Sequence, residues 1–290
     1  MLKRTVSTAA IWSIVFLALY FGRMWGGIAL LAVVALAAQW EYYGLREATG
    51  APVYKKIGLA LGVLWLATVA SLLIGKAAIE SVLVLGFFLT FLTAFVLKPP
   101  GAEHLRAVVE TAFGVLYVPV LLSFFIFGIK EFVGFGVVNA EVKGIWLAVA
   151  VIAIIKAGDV GGLLLGKAIG KHKIMPKISP AKSWEGLLGG VLLSIGIAAA
   201  FYWAGGRFDV LPSFSALMPL WAWAVFAVVM SVVGLLSDLS ESAFKRAADK
   251  KDSGGFIPGI GGALDMCDSL LFTAPVATHF LWVSSMFFNS

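Results

Sequence analysis

The chain has 290 residues, 61% of them hydrophobic and 13% charged, with a mean hydropathy of +0.98 and a net charge of +6. Soluble domains carry roughly 25% charged residues, so this composition excludes a water-soluble globular protein of such length. A sequence pI near 9.4 would suggest nucleic acid in a soluble protein, but here the cations lie mostly in short loops between apolar blocks, so membrane orientation explains them and no nucleic-acid partner is expected.

Apolar stretches of about 15–22 residues are the mark of bilayer-spanning helices, and nine are predicted: 7–21, 25–43, 57–74, 79–97, 112–129, 145–165, 187–204, 217–236 and 269–288. The first follows Lys3 and Arg4 and reads as a retained helix, since no convincing small-residue cleavage site follows it. Only Gly22, Arg23 and Met24 separate it from the second, which predicts a tight helical hairpin. The expected fold is an all-α, polytopic membrane helical bundle forming a single integral membrane domain. Residues 1–143 supply its N-terminal helices, and residues 144–290 its catalytic helices and loops.

With nine spans and the N-terminus inside, 16 Lys and Arg fall on the inner side and 5 on the outer, with Lys156 inside a span. That asymmetry predicts an N-in, C-out chain, and the inner (cytoplasmic) membrane is its expected location. It also places the two long polar loops, 166–186 and 237–268, on the same cytoplasmic side. Cys267 is the only cysteine, so an intrachain disulfide is excluded.

Polar chemistry gathers near the C-terminus. Asp238, Glu241, Ser242 and Lys245 recur at i, i+3, i+4 and i+7, one face of a helix. Asp265 and Asp268 would likewise share a face if the last helix begins there. Carboxylates beside Lys and Arg at a membrane boundary suit a divalent cation with a polyphosphate. Magnesium favours a few carboxylates plus substrate oxygens, and cationic side chains offset the remaining phosphate charge. The run Gly254-Gly255-Phe256-Ile257-Pro258-Gly259-Ile260-Gly261-Gly262 suits either an anion nest or a mobile turn.

In the other loop, Ser183 before Trp184-Glu185-Gly186 marks a helix start, and His172 between two lysines reads as a solvated loop residue. Gly161 to Ala168 nearly spells a P-loop, but Ala168 lacks the magnesium-binding hydroxyl and the preceding run is a membrane span. Lys156 and Asp159, three apart inside the sixth span, make either a functional intramembrane site or a mutual pair.

Ser242, Lys245-Arg246, Lys251-Asp252, Pro258-Gly259, Gly261-Gly262, Asp265 and Asp268, with Ser237-Asp238-Leu239-Ser240-Glu241-Ser242 upstream, resemble the C-terminal signature of the phosphatidate cytidylyltransferases (CDP-diacylglycerol synthases). Ser179-Pro180-Ala181-Lys182-Ser183-Trp184-Glu185-Gly186 resembles a second element of that family. The resemblance covers about residues 156–269. Met266 stands where the signature has Arg, Ala181 where it has Lys, Ser183 where it has Thr and Ser237 where it has Gly.

The resemblance implies magnesium-dependent transfer of a cytidylyl group from CTP to phosphatidate, with release of pyrophosphate. The lipid phosphate is itself the nucleophile, so such a reaction needs positioning and charge neutralisation rather than a catalytic triad. The residues expected to act are Asp238, Lys245, Arg246, Asp265 and Asp268, with Asp238, Asp265 and Asp268 holding the metal. Ser179, Lys182, Glu185, Glu241, Ser242, Lys251, Asp252 and Asp159 are expected to bind substrate. The partners implied are CTP, phosphatidate and membrane lipids, with a homo-oligomer admitted. A CTP-dependent lipid kinase of the polyprenol type is the alternative, and a secondary transporter using Lys156 and Asp159 is a further one.

Overall fold

A computed structural model describes residues 2–72, 77–96, 101–134, 140–205, 207–208, 211–255 and 261–288. The expected span ends at Ile74 and Leu97, and residues 256–260 of the glycine-rich run with Pro258 and Gly259, lie outside the described residues. Long apolar runs become helices because a helix satisfies its own backbone hydrogen bonds, which lipid cannot do. Among the described residues six helical stretches are long and apolar enough to cross a membrane: Leu17–Ala48, Ala102–Gly128, Lys143–Ile169, Trp184–Ala204, Leu220–Ala247 and Ala263–Phe288. The chain is thus an all-α polytopic membrane protein by length and composition.

Three of the nine expected spans are not separate members of these six. Two expected spans share helix α1 (Leu2–Ala48), which is broken at Arg23 (φ 47°, ψ −132°). Helices α2 (Lys55–Leu72) and α3 (Ala77–Val96) have 18 and 20 residues, close to the roughly 20 that a bilayer core demands. The break in α1 is a reversal. A Cβ added to Gly26 would overlap the Ala18 carbonyl oxygen, although eight residues of unbroken helix span about 12 Å. The two arms therefore fold back on each other as a hairpin.

The chain divides into two compact units, Met1–Ile126 with Phe244–Cys267, and Phe127–Ala243 with Asp268–Ser290. Each draws on both segments distinguished in the sequence, 1–143 and 144–290.

The first unit contains α1 to α3, α4 (Ala102–Val115), a π turn at Leu116–Val120 and α10 (Ala263–Cys267). Pro119 lies in the π turn, where its missing N–H disturbs the regular helical ladder. The core is knitted by a buried polar chain. Gln39 Nε2 donates to Tyr43 OH (3.0 Å) and to the Gly58 carbonyl (2.8 Å), and Tyr43 OH donates to the Thr111 carbonyl (2.7 Å). Tyr42, Phe113, Tyr117 and Phe244 pack edge and face around it, with ring centroids 5.2–6.1 Å apart.

The second unit contains most of α5 (Leu121–Gly134), α6 (Ala140–Ile169), strands β1 (Lys173–Met175) and β2 (Ser179–Ser183), α7 (Trp184–Ala204), the short α8 (Phe214–Leu217), α9 (Leu220–Ala247) up to Ala243, and α11 (Leu270–Phe288). The hairpin is antiparallel and irregular, pairing Lys173 with Ser183 and Met175 with Ser179. It occupies what reads in the sequence as a simple loop. Helices α6 and α7 approach closely because small residues face each other, Gly158 and Gly161 against Gly189 and Gly190, the usual way for helices to pack in lipid. Ser194 Oγ donates to the Ile154 carbonyl (2.8 Å) and Ser231 Oγ to Ser194 Oγ (3.1 Å), tying α9 to this pair.

Candidate active site

The site in the second unit is assembled from four elements. The polar face of α9 contributes Asp238, Glu241 and Ser242, all largely buried, and Ser242 Oγ donates to Asp238 Oδ1 at 3.4 Å. Asp268 and Ser269 form the turn that precedes α11. That turn is fixed to α9 because Ser237 Oγ donates to the Asp268 carbonyl and accepts from Phe272 N at 3.2 Å. Helix α6 supplies Lys156 and Asp159, and β2 supplies Lys182.

One carboxylate oxygen each from Asp238, Glu241 and Asp268 lies within 4.8 Å of the others. Lys156 Nζ donates to Ser269 Oγ (2.8 Å), Asp159 Oδ2 (3.2 Å) and Asp268 Oδ1 (3.5 Å). Ser269 Oγ lies 2.7 Å from Asp159 Oδ2 as donor, and Ser269 N donates to Asp268 Oδ1 at 2.6 Å. Lys182 forms an ion pair with Asp238. Burial works to lower the Lys182 pKa, but the Asp238 carboxylate, with Asp159 and Asp268 behind it, outweighs that and raises it above the ordinary lysine value. The lysine therefore stays an ammonium.

Four carboxylates thus meet two ammonium groups, an excess of two negative charges when all are ionised. Three convergent carboxylate oxygens are the kind of donor set that could hold a hard divalent ion. A cavity of about 40 Å³ is lined by Asp159, Lys182 and Ser183, together with small residues of α6, α7 and α9. A larger cavity of about 840 Å³ is lined by apolar residues such as Trp221, Val276, Phe280 and Phe287. That mostly apolar lining offers few partners to a phosphate.

The other expected residues are described by their own contacts. In the first unit, Asp265 Oδ1 accepts from Lys245 Nζ (2.7 Å), and Oδ2 accepts from Gly262 N (2.7 Å), Ser253 Oγ (2.8 Å) and Ser253 N (2.9 Å). Asp265 and Asp268 do not share one helix face, because α10 ends at Cys267 and α11 starts at Leu270. The third member of the acidic group is Glu241, which the sequence suggested only as a substrate contact. Arg246 Nη1 donates to the Lys250 carbonyl at 3.2 Å, while Lys251 and Asp252 are exposed beyond α9 and Ser179 is half-buried at the start of β2.

Ser183 is the α7 cap, accepting from Gly186 N at 3.1 Å. Glu185 holds the base of the hairpin, accepting from the backbone of Lys171 and His172 at 3.2 Å and meeting His172 Nδ1 at 2.6 Å. His172 is exposed, as a loop residue should be. Met266 in place of Arg is half-buried in α10, and nothing in the structure explains it. Sequence reasoning missed Ser269 as a member of the cluster, and it paired Lys156 only with Asp159.

Helices of membrane length together with a buried carboxylate-and-lysine cluster define a polytopic membrane protein with a polar site. The chain belongs to the cytidylyltransferase family, whose family model matches residues 2–284. It is similar to the phosphatidate cytidylyltransferases of Chlamydia muridarum (33% identity over 204 residues, 68% of this chain and 63% of that protein), Pseudomonas aeruginosa (41% over 138 residues, 48% of each) and Haemophilus influenzae (36% over 137 residues, 47% and 46%). The matched stretch thus spans about half to two thirds of these relatives' lengths.

Proposed function

We propose that the protein transfers the cytidylyl group of CTP to phosphatidate, giving CDP-diacylglycerol and pyrophosphate, in the inner membrane with the acidic cluster open to the cytoplasm. An oxygen of the lipid phosphate attacks the α-phosphorus, the bond from that phosphorus to the β-phosphate bridging oxygen breaks, and pyrophosphate leaves. The observation that carries the reading is the convergence of Asp238, Glu241 and Asp268 beside Lys182 and Lys156. Family membership and the names of the relatives point the same way.

Magnesium is the cation proposed for the three carboxylates, and when bound it would neutralise phosphate charge as pyrophosphate departs. Lys182, held charged by its acidic neighbours, is suited to bind a phosphate oxygen. Lys156 braces Asp159 and Asp268 in the orientation that faces the cluster. The placing of Lys156 and Asp159 beside the cluster's carboxylates supports the transferase reading over transport. Nine spans with the N-terminus inside remain the proposed topology, supported by the asymmetry of Lys and Arg.

A detergent-micelle assay with phosphatidate, CTP and magnesium tests the proposal. Pyrophosphate and CDP-lipid should form in equal amounts, and both should fall together roughly 10²–10³-fold in Asp268→Asn. Release of CDP in place of pyrophosphate would replace the reading with a lipid kinase.

A further inference from the structure

Glu41 lies in α1, in a predominantly apolar stretch of the chain, and only 8% of it is exposed. Its Oε2 accepts from Leu264 N at 2.9 Å and from Ser253 Oγ at 3.0 Å. These contacts reach the two flanks of the glycine-rich run, more than 200 residues along the chain. A Cβ added to Gly254 would collide with Glu41 Oε1, and one added to Gly262 would collide with Glu41 Oε2 and Ser253 Oγ. The two glycines leave room for one carboxylate oxygen each.

The backbone N–H groups at this end of the run are thus directed at the protein's own carboxylates, Leu264 N at Glu41 and Gly262 N at Asp265. Ser253 has one hydroxyl hydrogen to share between Glu41 Oε2 (3.0 Å) and Asp265 Oδ2 (2.8 Å). Leu264 N–H therefore secures Glu41 whenever the hydroxyl turns to Asp265.

We propose that Glu41 is a positioning residue: an internal anion on which the flanks of the 253–265 segment are seated, and which thereby sets Asp265 and its partner Lys245. The proposal rests on the reading that these signature residues serve cytidylyl transfer. Its logic is that of a supporting shell, in which a group without substrate contact orients those that act, and whose loss typically costs about 10–100-fold in affinity or activity.

The test combines backbone hydrogen exchange with steady-state kinetics on the full-length protein in micelles. In Glu41→Leu the amides of Gly262 and Leu264 should exchange faster, and kcat should fall about 10–100-fold with the KM for CTP little changed. Glu41→Gln keeps an acceptor oxygen and should restore most of both. Gly254→Ala should reproduce the Leu variant by displacing the carboxylate. Combined with Glu41→Ala, it should add nothing beyond Glu41→Ala alone, since the clash is then gone.

Should Glu41→Leu fail to fold, the Gln variant and the Gly254→Ala cycle decide. Unchanged exchange, additive effects, or faster exchange with normal kcat would each overturn the proposal. A wild-type protein that makes no CDP-lipid would sink the proposed reaction instead, leaving exchange to decide whether Glu41 holds the segment.

Discussion

The protein carries two groups of buried acids, and they are satisfied in opposite ways. In the second unit, Asp238, Glu241 and Asp268 turn oxygens toward one another and are only partly balanced by Lys156 and Lys182. In the first, Glu41 and Asp265 are wrapped in backbone N–H groups, a serine and Lys245. Acids crowded against acids are costly to keep and are suited to recruit a cation. Acids surrounded by donors are already satisfied and hold a fold in place. The first arrangement suits the phosphate chemistry proposed above, and the second suits a precise scaffold.

The sharpest way to break this comparison is at Asp268. Asp268→Asn should lower turnover roughly 10²–10³-fold, the loss typical of one preorganised electrostatic group. Stability should change little, because Lys156 keeps Asp159 at 3.2 Å and Ser269 at 2.8 Å; initial rates and a thermal melt measured together decide it.

Asp265→Asn should lower stability as well as turnover. It strips a buried ammonium of its partner, with both side chains 12% exposed, and should destabilise by about 3 kcal/mol, read as a lower melting temperature with or without substrate. Lys182→Met should reduce turnover about 10–100-fold and weaken magnesium dependence, seen in a metal titration of the rate.

A smaller effect is expected at Ser183→Ala, which removes the α7 cap and should cost about 1 kcal/mol; a thermal melt measures it. The smallest concerns pH. The Lys182 pKa is raised on folding, so its contribution is present at all pH below the unfolded lysine value. It is lost only as pH rises through the higher folded one. Between about pH 6 and 9 it should therefore leave stability flat, checked by melts across that range.

Several of these features were legible in the sequence because they are local. The 3.6-residue period brings Asp238, Glu241 and Ser242 onto one face of α9, and Ser183 before Trp184-Glu185-Gly186 announces a cap. The hairpin at Arg23 followed from two apolar runs parted by three residues. Lys156 and Asp159 were readable as a pair, but not their link to Asp268 and Ser269, about 110 residues away. Glu41 gave no signal, since a lone acid in an apolar run resembles any other until its partners are known.

The sequence by itself determined that this is a membrane protein of many helices, because lipid admits few other backbones, and its motif resemblance pointed to cytidylyl transfer. Only the tertiary structure decided how the acids divide. Asp265 and Asp268 are three residues apart, yet the helix breaks between Cys267 and Leu270. One acid therefore meets backbone donors within its own unit and the other meets further acids. Helical spacing fixes neighbours within a few turns, whereas the partners of a buried charge come from whichever distant segments pack against it.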